Sequence, residues 1–196
     1  MNLLHRRYCR SRHWGDLVAN HLLPWVLGDT QLGRHALELG PGPGLTTDLL
    51  RHRTDWLSAV EVDARDAANL AARLAGTNVT VVRADATHLP FSDGRFSAVI
   101  AMTMLHHVAS PRAQDRLFGE ARRVLEPGGL FCGCDSRPNL RWRALHVLDT
   151  MTVLDPATLS ARLEAAGFTA IVVKMTPRRV SFRARRPGVV ESDVEF

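Results

Sequence analysis

The stretch Ala36-Leu37-Glu38-Leu39-Gly40-Pro41-Gly42-Pro43-Gly44 carries the strongest structural signal in this chain. Its apolar start predicts a short buried strand, and glycine then occupies every second position. Such a turn lets a ligand approach bare backbone, as nucleotide-binding loops do. The spacing is G-x-G-x-G, because Leu45 stands where the dinucleotide fingerprint G-x-G-x-x-G has its third glycine. We therefore expect a nucleotide-like cofactor that lacks a pyrophosphate.

The length and composition are those of one globular domain. The chain has 196 residues, of which 45% are hydrophobic and 23% charged. We expect a single domain over 1–196, with a helical segment at 1–30, a core at 31–186 and a loose tail at 187–196. No apolar run approaches the roughly 20 residues that span a membrane, and the start of the chain lacks a signal-peptide pattern. These features favour a cytoplasmic protein.

The charge and the cysteines favour simple interpretations. The net charge is +5, and arginines concentrate in 6–12 and 178–186. These clusters are either solvated faces or surfaces for an anionic substrate, a membrane or nucleic acid. Cys9, Cys132 and Cys134 form no C-x-x-C pair, so we expect buried reduced thiols and neither a disulfide framework nor a metal site. Cys132 and Cys134 alternate on one predicted strand and should face the same side.

Strand and helix patterns alternate along the rest of the chain. Further strands are predicted at 57–62, 79–83, 96–101, 130–134, 169–173 and 180–184. Helix starts are predicted after Asp63, Ser110 and Asp155, the last two followed by proline. Repeated strand–helix units imply a parallel sheet covered on both faces. The last two strands should pair antiparallel, because 174–179 is too short for a parallel crossover.

Two segments flank this predicted core. A helix is expected at Trp14–Leu27, broken or bent near Pro24, and 136–154 is an apolar-rich linker with one or two helical turns. Since the chain contains no large insertion, 6–25 and 136–154 should supply the lid of any site. We expect Tyr8, His13, Trp14, Arg141 and Trp142 to border the pocket of a second substrate.

Acidic residues follow the second and third strands, where a nucleoside would lie. Glu61 ends a strand 21 positions after Gly40, where a carboxylate can accept hydrogen bonds from both ribose hydroxyls. Asp63 is better explained as a helix cap. Asp85 is placed either to accept from an exocyclic amine, such as that of adenine, or to cap its own turn.

These motifs together resemble the class I S-adenosylmethionine-dependent methyltransferases over roughly residues 30–185. The matching parts are Ala36–Gly44, Glu61, Asp85-Ala86, Phe96–Val108 with its Leu-His-His-Val run, and Arg123–Gly129. Ser97 departs from the family, which often has aspartate there in a structural role. The resemblance implies an α/β Rossmann-like, doubly wound seven-stranded sheet with strand 7 antiparallel. It also implies S-adenosyl-L-methionine as the cofactor and S-adenosyl-L-homocysteine as the product.

The resemblance assigns the cofactor site, with Glu38 near the amino-acid end of the cofactor. The expected binding residues are Glu38, Gly40, Pro41, Gly42, Gly44, Glu61, Val62, Asp85, Ala86 and Met102. Methyl transfer needs alignment of a nucleophile in line with the carbon–sulfur bond, which proximity and orientation can accelerate strongly. His106 and His107 follow the fourth strand. One of them is a candidate base or positioning donor, or both only shape the loop.

The acceptor is expected to be a small molecule. Ala101–Met104 replaces the [Asn/Asp]-Pro-Pro-aromatic motif of enzymes that methylate adenine in nucleic acid, and no carboxylate cluster suggests a catechol-type magnesium site. A short apolar lid bearing arginines suits a small or amphiphilic acceptor. The alternatives are a non-catalytic cofactor- or partner-binding member of the fold, and a nicotinamide-dependent oxidoreductase, against which the glycine spacing argues.

Overall fold

A seven-stranded sheet organises the chain in the computed structural model, which describes residues 7–9, 11–137 and 151–188. The strand order is β3-β2-β1-β4-β5-β7-β6. Strands β1 to β5 run parallel, whereas β7 is antiparallel to both of its neighbours. The strands are β1 His35–Leu39, β2 Trp56–Glu61, β3 Val79–Arg83, β4 Phe96–Met102, β5 Leu125–Ser136, β6 Thr169–Met175 and β7 Arg179–Arg185. The predicted fold class and the reversed last strand are confirmed.

Helices cover the sheet on both faces. They are α1 Arg12–Leu17, α2 Leu23–Leu27, α3 Leu45–Leu50, α4 Ala64–Arg73, α5 Pro111–Val124 and α6 Pro156–Ala165, with a 3-10 turn at Leu105–His107. The three predicted caps form: Asp63, Ser110 and Asp155 each accept a hydrogen bond from a backbone N–H in the first turn of α4, α5 and α6. Each cap fixes where a helix starts, and therefore where the preceding loop ends.

The sheet separates two buried layers. On one face, α5 and α6 pack on a layer that includes Phe118, Phe131 and Phe182. On the other face, α1 and α2 cover a layer that includes both Cys132 and Cys134, as predicted from their alternation. Helices bury both faces of the sheet, so the central strands are continuous apolar runs. Polar residues lie mainly at the ends of these strands.

The structure corrects two local predictions. The strand predicted at 130–134 starts earlier and ends later, because β5 runs from Leu125 to Ser136. The register shows the reason: Phe96 pairs with Leu125 but Ala98 pairs with Leu130, so the intervening residues bulge from the ladder.

The helix predicted at 14–27 starts earlier, and a π turn at Val18–Leu22 joins α1 to α2 just before Pro24. Proline has no N–H and crowds the carbonyl four residues earlier, which a wider turn relieves. We call Arg12–Leu27 the N-terminal helix.

The predicted linker and tail fall mainly outside the described residues. Of the linker 136–154, residues 138–150 are not described, and neither are 189–196 of the predicted tail. The predicted site residues Arg141 and Trp142 therefore lie outside the described part of the chain.

Candidate cofactor and acceptor cavity

The carboxyl ends of β1, β2, β3 and β4 open into a cavity of about 570 Å³. Residues from the glycine turn, from the ends of β2 and β3, and from the exit of β4 line it. The described lining residues are Cys9, Trp14, Gly40–Pro43, Leu45, Thr46, Glu61–Asp63, Asp66, Ala84–Ala86, Met102–Met104 and His107–Ala109. This edge of a parallel sheet is where ligands of open α/β proteins bind.

The glycine turn presents backbone to the cavity. Gly40 and Gly42 have φ values of +64° and +53°, which side chains rarely adopt. A Cβ at Gly40 would also lie 2.9 Å from the Cβ of Met104 on the opposite wall. Glycine is therefore required here both by conformation and by the close approach of the two walls.

Gly44 serves packing rather than the cavity. It does not line the cavity, although its φ of +84° is also left-handed. A Cβ there would collide with Leu70 and Arg73 of α4. The third glycine of the motif thus lets α4 pack against the start of α3.

Glu61 ties the glycine turn to the end of β2. It is 7% exposed, its Oε2 accepts from the Gly42 N–H at 2.9 Å, and its Oε1 accepts from the Asp63 N–H at 2.9 Å. Two backbone donors fix the plane of the carboxylate, and each oxygen keeps a further lone pair. Such a carboxylate can accept hydrogen bonds from two neighbouring hydroxyls of a ribose.

The next positions offer a place for a flat polar ring. Val62 is 65% exposed although apolar, and it lines the cavity beside Ala86 and Asp85. Oδ1 of Asp85 accepts from the Thr87 N–H at 2.8 Å, which makes the residue a turn cap. Asp85 also lines the cavity and keeps free acceptor capacity on its carboxylate, so the turn cap and the acceptor for an exocyclic amine are compatible roles.

Glu38 is buried beneath the turn instead of lining the cavity. It is 2% exposed, and its Oε2 has no hydrogen-bond partner among the described residues. Burial raises the pKa of Glu38 to about 8, and the nearby charges of Asp48 and Glu61 act in the same direction. The Thr47 hydroxyl opposes that rise without making a hydrogen bond of good geometry. The residue expected at the amino-acid end of the cofactor therefore lies beneath the glycine turn, with one carboxyl oxygen that has no partner among the described residues.

The two adjacent histidines have different surroundings. His107 lines the cavity, whereas His106 is 2% exposed and does not. His106 donates from Nδ1 to Asp135 Oδ1 at 2.7 Å and from its backbone N–H to Oδ2 at 2.9 Å. Asp135 at the end of β5 therefore holds the 3-10 turn, and with it His107, at the cavity.

The helical side of the cavity contains some of the predicted acceptor residues. Trp14 lines the cavity, and Tyr8 packs on it with ring centroids 5.4 Å apart. His13 is exposed on the N-terminal helix and does not line the cavity. Cys9, Thr103 and Met104 line it but were not predicted. A signal for Met104 existed in the sequence, since it closes the Ala101–Met104 segment after strand four.

Ser97 occupies the structural position expected from the family. Its Oγ donates to the Leu32 carbonyl at 2.6 Å and accepts from the His35 N–H at 3.2 Å. Ser97 therefore links the start of β1 to β4, far from the cavity.

Within the described ranges, we find no cluster of His, Cys, Asp or Glu that could hold a metal ion, and no helix long and apolar enough to cross a membrane.

The seven-stranded α/β fold, with a cavity at the carboxyl ends of its parallel strands, is that of the S-adenosylmethionine-dependent methyltransferases. A family model described as a methyltransferase domain matches residues 37–133. An uncharacterized methyltransferase of Synechocystis sp. (strain ATCC 27184 / PCC 6803 / Kazusa) is 31% identical over 160 residues, which cover 77% of this chain and 74% of that protein. The chain belongs to this family.

Other matches are partial or concern the fold alone. An uncharacterized methyltransferase of Mycobacterium sp. (strain KMS) is 37% identical over 99 residues, which cover 50% of this chain but 37% of that relative. The solved phosphoethanolamine N-methyltransferase 2 of Haemonchus contortus, in complex with S-adenosyl-L-methionine, has a TM-score of 0.73 at 16% identity. That match covers 89% of this chain and 53% of the other chain. The cofactor of the family is S-adenosyl-L-methionine.

Proposed function

We propose that this chain transfers a methyl group from S-adenosyl-L-methionine to a small-molecule acceptor by in-line displacement. The supporting observation is one cavity with two different walls. The glycine turn, Glu61 and Asp85 form a nucleoside wall, and Trp14, Met104 and His107 face it. The volume of about 570 Å³ is within the range of small-molecule sites.

The nucleoside wall would hold the cofactor through named groups. Glu61 would accept from the ribose hydroxyls, Val62 would support the base, and Asp85 would accept from its amine. Glu38 and the glycine turn would lie at the amino-acid end. When bound, the cofactor supplies a methyl group that is already electrophilic.

The acceptor wall would orient the nucleophile and exclude water. Trp14, Met104, Val108 and Ala109 provide apolar surface, which suits a small apolar or amphiphilic acceptor. Positioning of this kind can lower the free-energy barrier of a reaction by about 7–11 kcal/mol. His107 would take the proton of an acceptor that arrives protonated, and Asp135 would keep His107 in place through His106.

The cofactor assignment is tested by calorimetric titration of S-adenosylmethionine and S-adenosylhomocysteine. We expect micromolar binding by the wild type and at least tenfold weaker binding by Glu61→Ala, since two hydrogen bonds and the anchor of the glycine turn are lost. Glu126→Ala is the matched control, because it removes an exposed carboxylate at the start of β5. Equal binding by both variants would contradict the site, and preferential binding of NADH would favour an oxidoreductase.

The acceptor class is tested by the release of S-adenosylhomocysteine in the presence of candidate acceptors. We expect turnover with members of a panel of small apolar and amphiphilic molecules, and none with RNA or DNA. Trp14→Ala should raise KM for an active acceptor while cofactor affinity stays within about twofold. Turnover of nucleic acid alone would refute the small-molecule proposal, and binding of the cofactor without any turnover would favour a non-catalytic member of the family.

A further inference from the structure

A second cavity, of about 440 Å³, lies between the N-terminal helix and the turn that joins β6 to β7. We call it the helix–hairpin groove. Its described lining is Leu17, His21, Leu22 and Trp25 from the helix, and Thr176, Pro177, Arg178 and Arg179 from the turn. None of these residues is among the described lining of the cofactor cavity. The helix–hairpin groove is therefore separate from the cofactor cavity.

The helix side of the helix–hairpin groove is apolar and firmly seated. Leu22 is 2% exposed, and Leu17 and Trp25 are partly buried against the layer that contains Cys132. The groove therefore offers apolar surface that is open on one side and rigidly supported on the other. Such a surface gains free energy when a ligand covers it.

The hairpin side of the groove is cationic. Arg178 is exposed and Arg179 is half-buried, while Arg137 reaches the same turn and donates from Nη1 to the Thr176 carbonyl at 3.2 Å. Among the described lining residues, none is acidic. The positive charge at this end of the hairpin is therefore not neutralised within the groove.

Arg179 differs from the other arginines of its strand. Its Nη1 is buried and has no hydrogen-bond partner in the described part of the chain. Farther along β7, Arg183 donates to Thr30 Oγ1 at 3.0 Å and Arg185 donates to the Gly128 carbonyl at 2.9 Å. A buried donor without an acceptor is unfavourable, and a guanidinium matches carboxylate and phosphate oxygens in geometry and charge.

The charge of Arg179 also reaches the aromatic pair beside the cofactor cavity. Burial raises the pKa of Tyr8, and the positive charge of Arg179 acts in the opposite direction. Tyr8 is the ring that packs on Trp14. Arg179 lines the helix–hairpin groove and its charge also acts on Tyr8, the partner of Trp14 at the cofactor cavity.

We propose that the helix–hairpin groove binds an amphiphilic anion, that is, a molecule with a carboxylate or phosphate on an apolar body. Arg179, assisted by Arg178, receives the anionic group. Leu17, Leu22 and Trp25 cover the apolar body. This assignment does not depend on the proposed methyl transfer, because it rests on residues outside the cofactor cavity.

The ligand chemistry is tested by calorimetry on the full chain, with four probes kept below their micelle concentrations. Octyl phosphate and octanoate should bind, and the tighter of the two identifies the preferred anionic group. Octanol lacks the charge and inorganic phosphate lacks the apolar body, so each should bind at least tenfold more weakly than the better probe. Binding of octanol as tight as that of both anions would overturn the proposal, as would displacement of the anions by S-adenosylhomocysteine.

Matched arginine variants test the place of binding. Arg179→Met should weaken binding of the better probe at least tenfold, and Arg179→Lys should retain more affinity than Arg179→Met. Arg185→Met removes the same charge at the other end of the same strand and should leave affinity within twofold. Equal losses in Arg179→Met and Arg185→Met would overturn the site in favour of general electrostatic attraction.

A further variant keeps the proposal testable if Arg179→Met, at a half-buried position, does not fold. Arg178→Gln, at an exposed position, should weaken binding about threefold without changing the thermal midpoint. If Arg179→Met unfolds, unchanged binding by Arg178→Gln would refute the assignment.

Discussion

The two walls of the main cavity are assembled in different ways. The nucleoside wall consists of loops that directly follow β1, β2 and β3, so each contribution is local in the chain. The acceptor wall joins Cys9 and Trp14 to Met104 and His107, which come from segments about 90 residues apart. The nucleoside wall combines the backbone of the glycine turn with carboxylates at the ends of β2 and β3, whereas the acceptor wall brings together side chains from distant segments.

The largest expected effect concerns the support of the acceptor wall. Asp135→Ala removes the acceptor of three N–H groups, two from His106 and one from Ser136, in the dry interior. We expect a loss of about 3–5 kcal/mol in the free energy of unfolding, measured by urea denaturation, because the donors stay buried without partners. Asp93→Ala removes the exposed partner of Arg123 and should cost less than about 1 kcal/mol. Similar losses in both variants would show that the His106–Asp135 pair is not a special support.

The pH dependence of stability tests the carboxyl beneath the nucleoside wall. The pKa of Glu38 rises from 4.5 to about 8 on folding, so the folded state holds a proton that the unfolded state releases between these values. The free energy of unfolding should therefore fall as pH rises through this window, by at most about 1.4 kcal/mol per pH unit. Urea denaturation at about pH 5, 6.5 and 8 measures the slope. Glu38→Gln should reduce it, and an unchanged slope would place the proton elsewhere.

Gly40 is where the two walls touch. Gly40→Ala combines a φ of +64° with a Cβ that would lie 2.9 Å from the Cβ of Met104. We expect a loss of about 1–3 kcal/mol in stability and at least tenfold weaker binding of S-adenosylhomocysteine. Gly76→Ala has a φ of +76° but open space around it, so it should show only the conformational cost and normal binding. Normal binding by Gly40→Ala would mean that the walls adjust independently.

The smallest effects on stability are expected from removing two helix caps. One cap lines the cavity and the other does not, so the pair also tests the extent of the nucleoside wall. Asp63→Ala and Ser110→Ala each remove an N-cap, and each should lower the free energy of unfolding by about 1 kcal/mol. Asp63 lines the cavity and Ser110 does not, so only Asp63→Ala should weaken cofactor binding, by about threefold. Thermal denaturation and calorimetry together distinguish these outcomes, and equal binding by both variants would remove Asp63 from the nucleoside wall.

Much of the fold could be predicted, because its signals are short in range. The alternation of strands, the caps at Asp63, Ser110 and Asp155, and the reversed last strand are confirmed. The bulge between Leu125 and Leu130 and the π turn before Pro24 were missed, because they depend on register with a neighbouring strand and on the local fit of a helix.

Prediction of the site was uneven for the same reason. The glycine turn and the ends of β2 and β3 could be located, since strand ends of a parallel sheet meet at one edge. His106 and His107 could not be distinguished, because adjacent residues in a loop give no periodic signal for which one faces inward. Gly44 looked equivalent to Gly40 and Gly42, and only the approach of α4 shows its packing role.

The sequence by itself determined the order of strands and helices and the position of the glycine turn. Glycine spacing, capping residues and apolar periodicity are local signals, since each one depends on residues that are close together in the chain. The tertiary structure decided which groups face each other across the chain. Glu61 meets Gly42 through the pairing of β1 with β2, Asp135 meets His106 across the end of β5, and Arg179 comes to lie beside the N-terminal helix. These contacts depend on packing and register, which sum over the whole sheet and have no local signature.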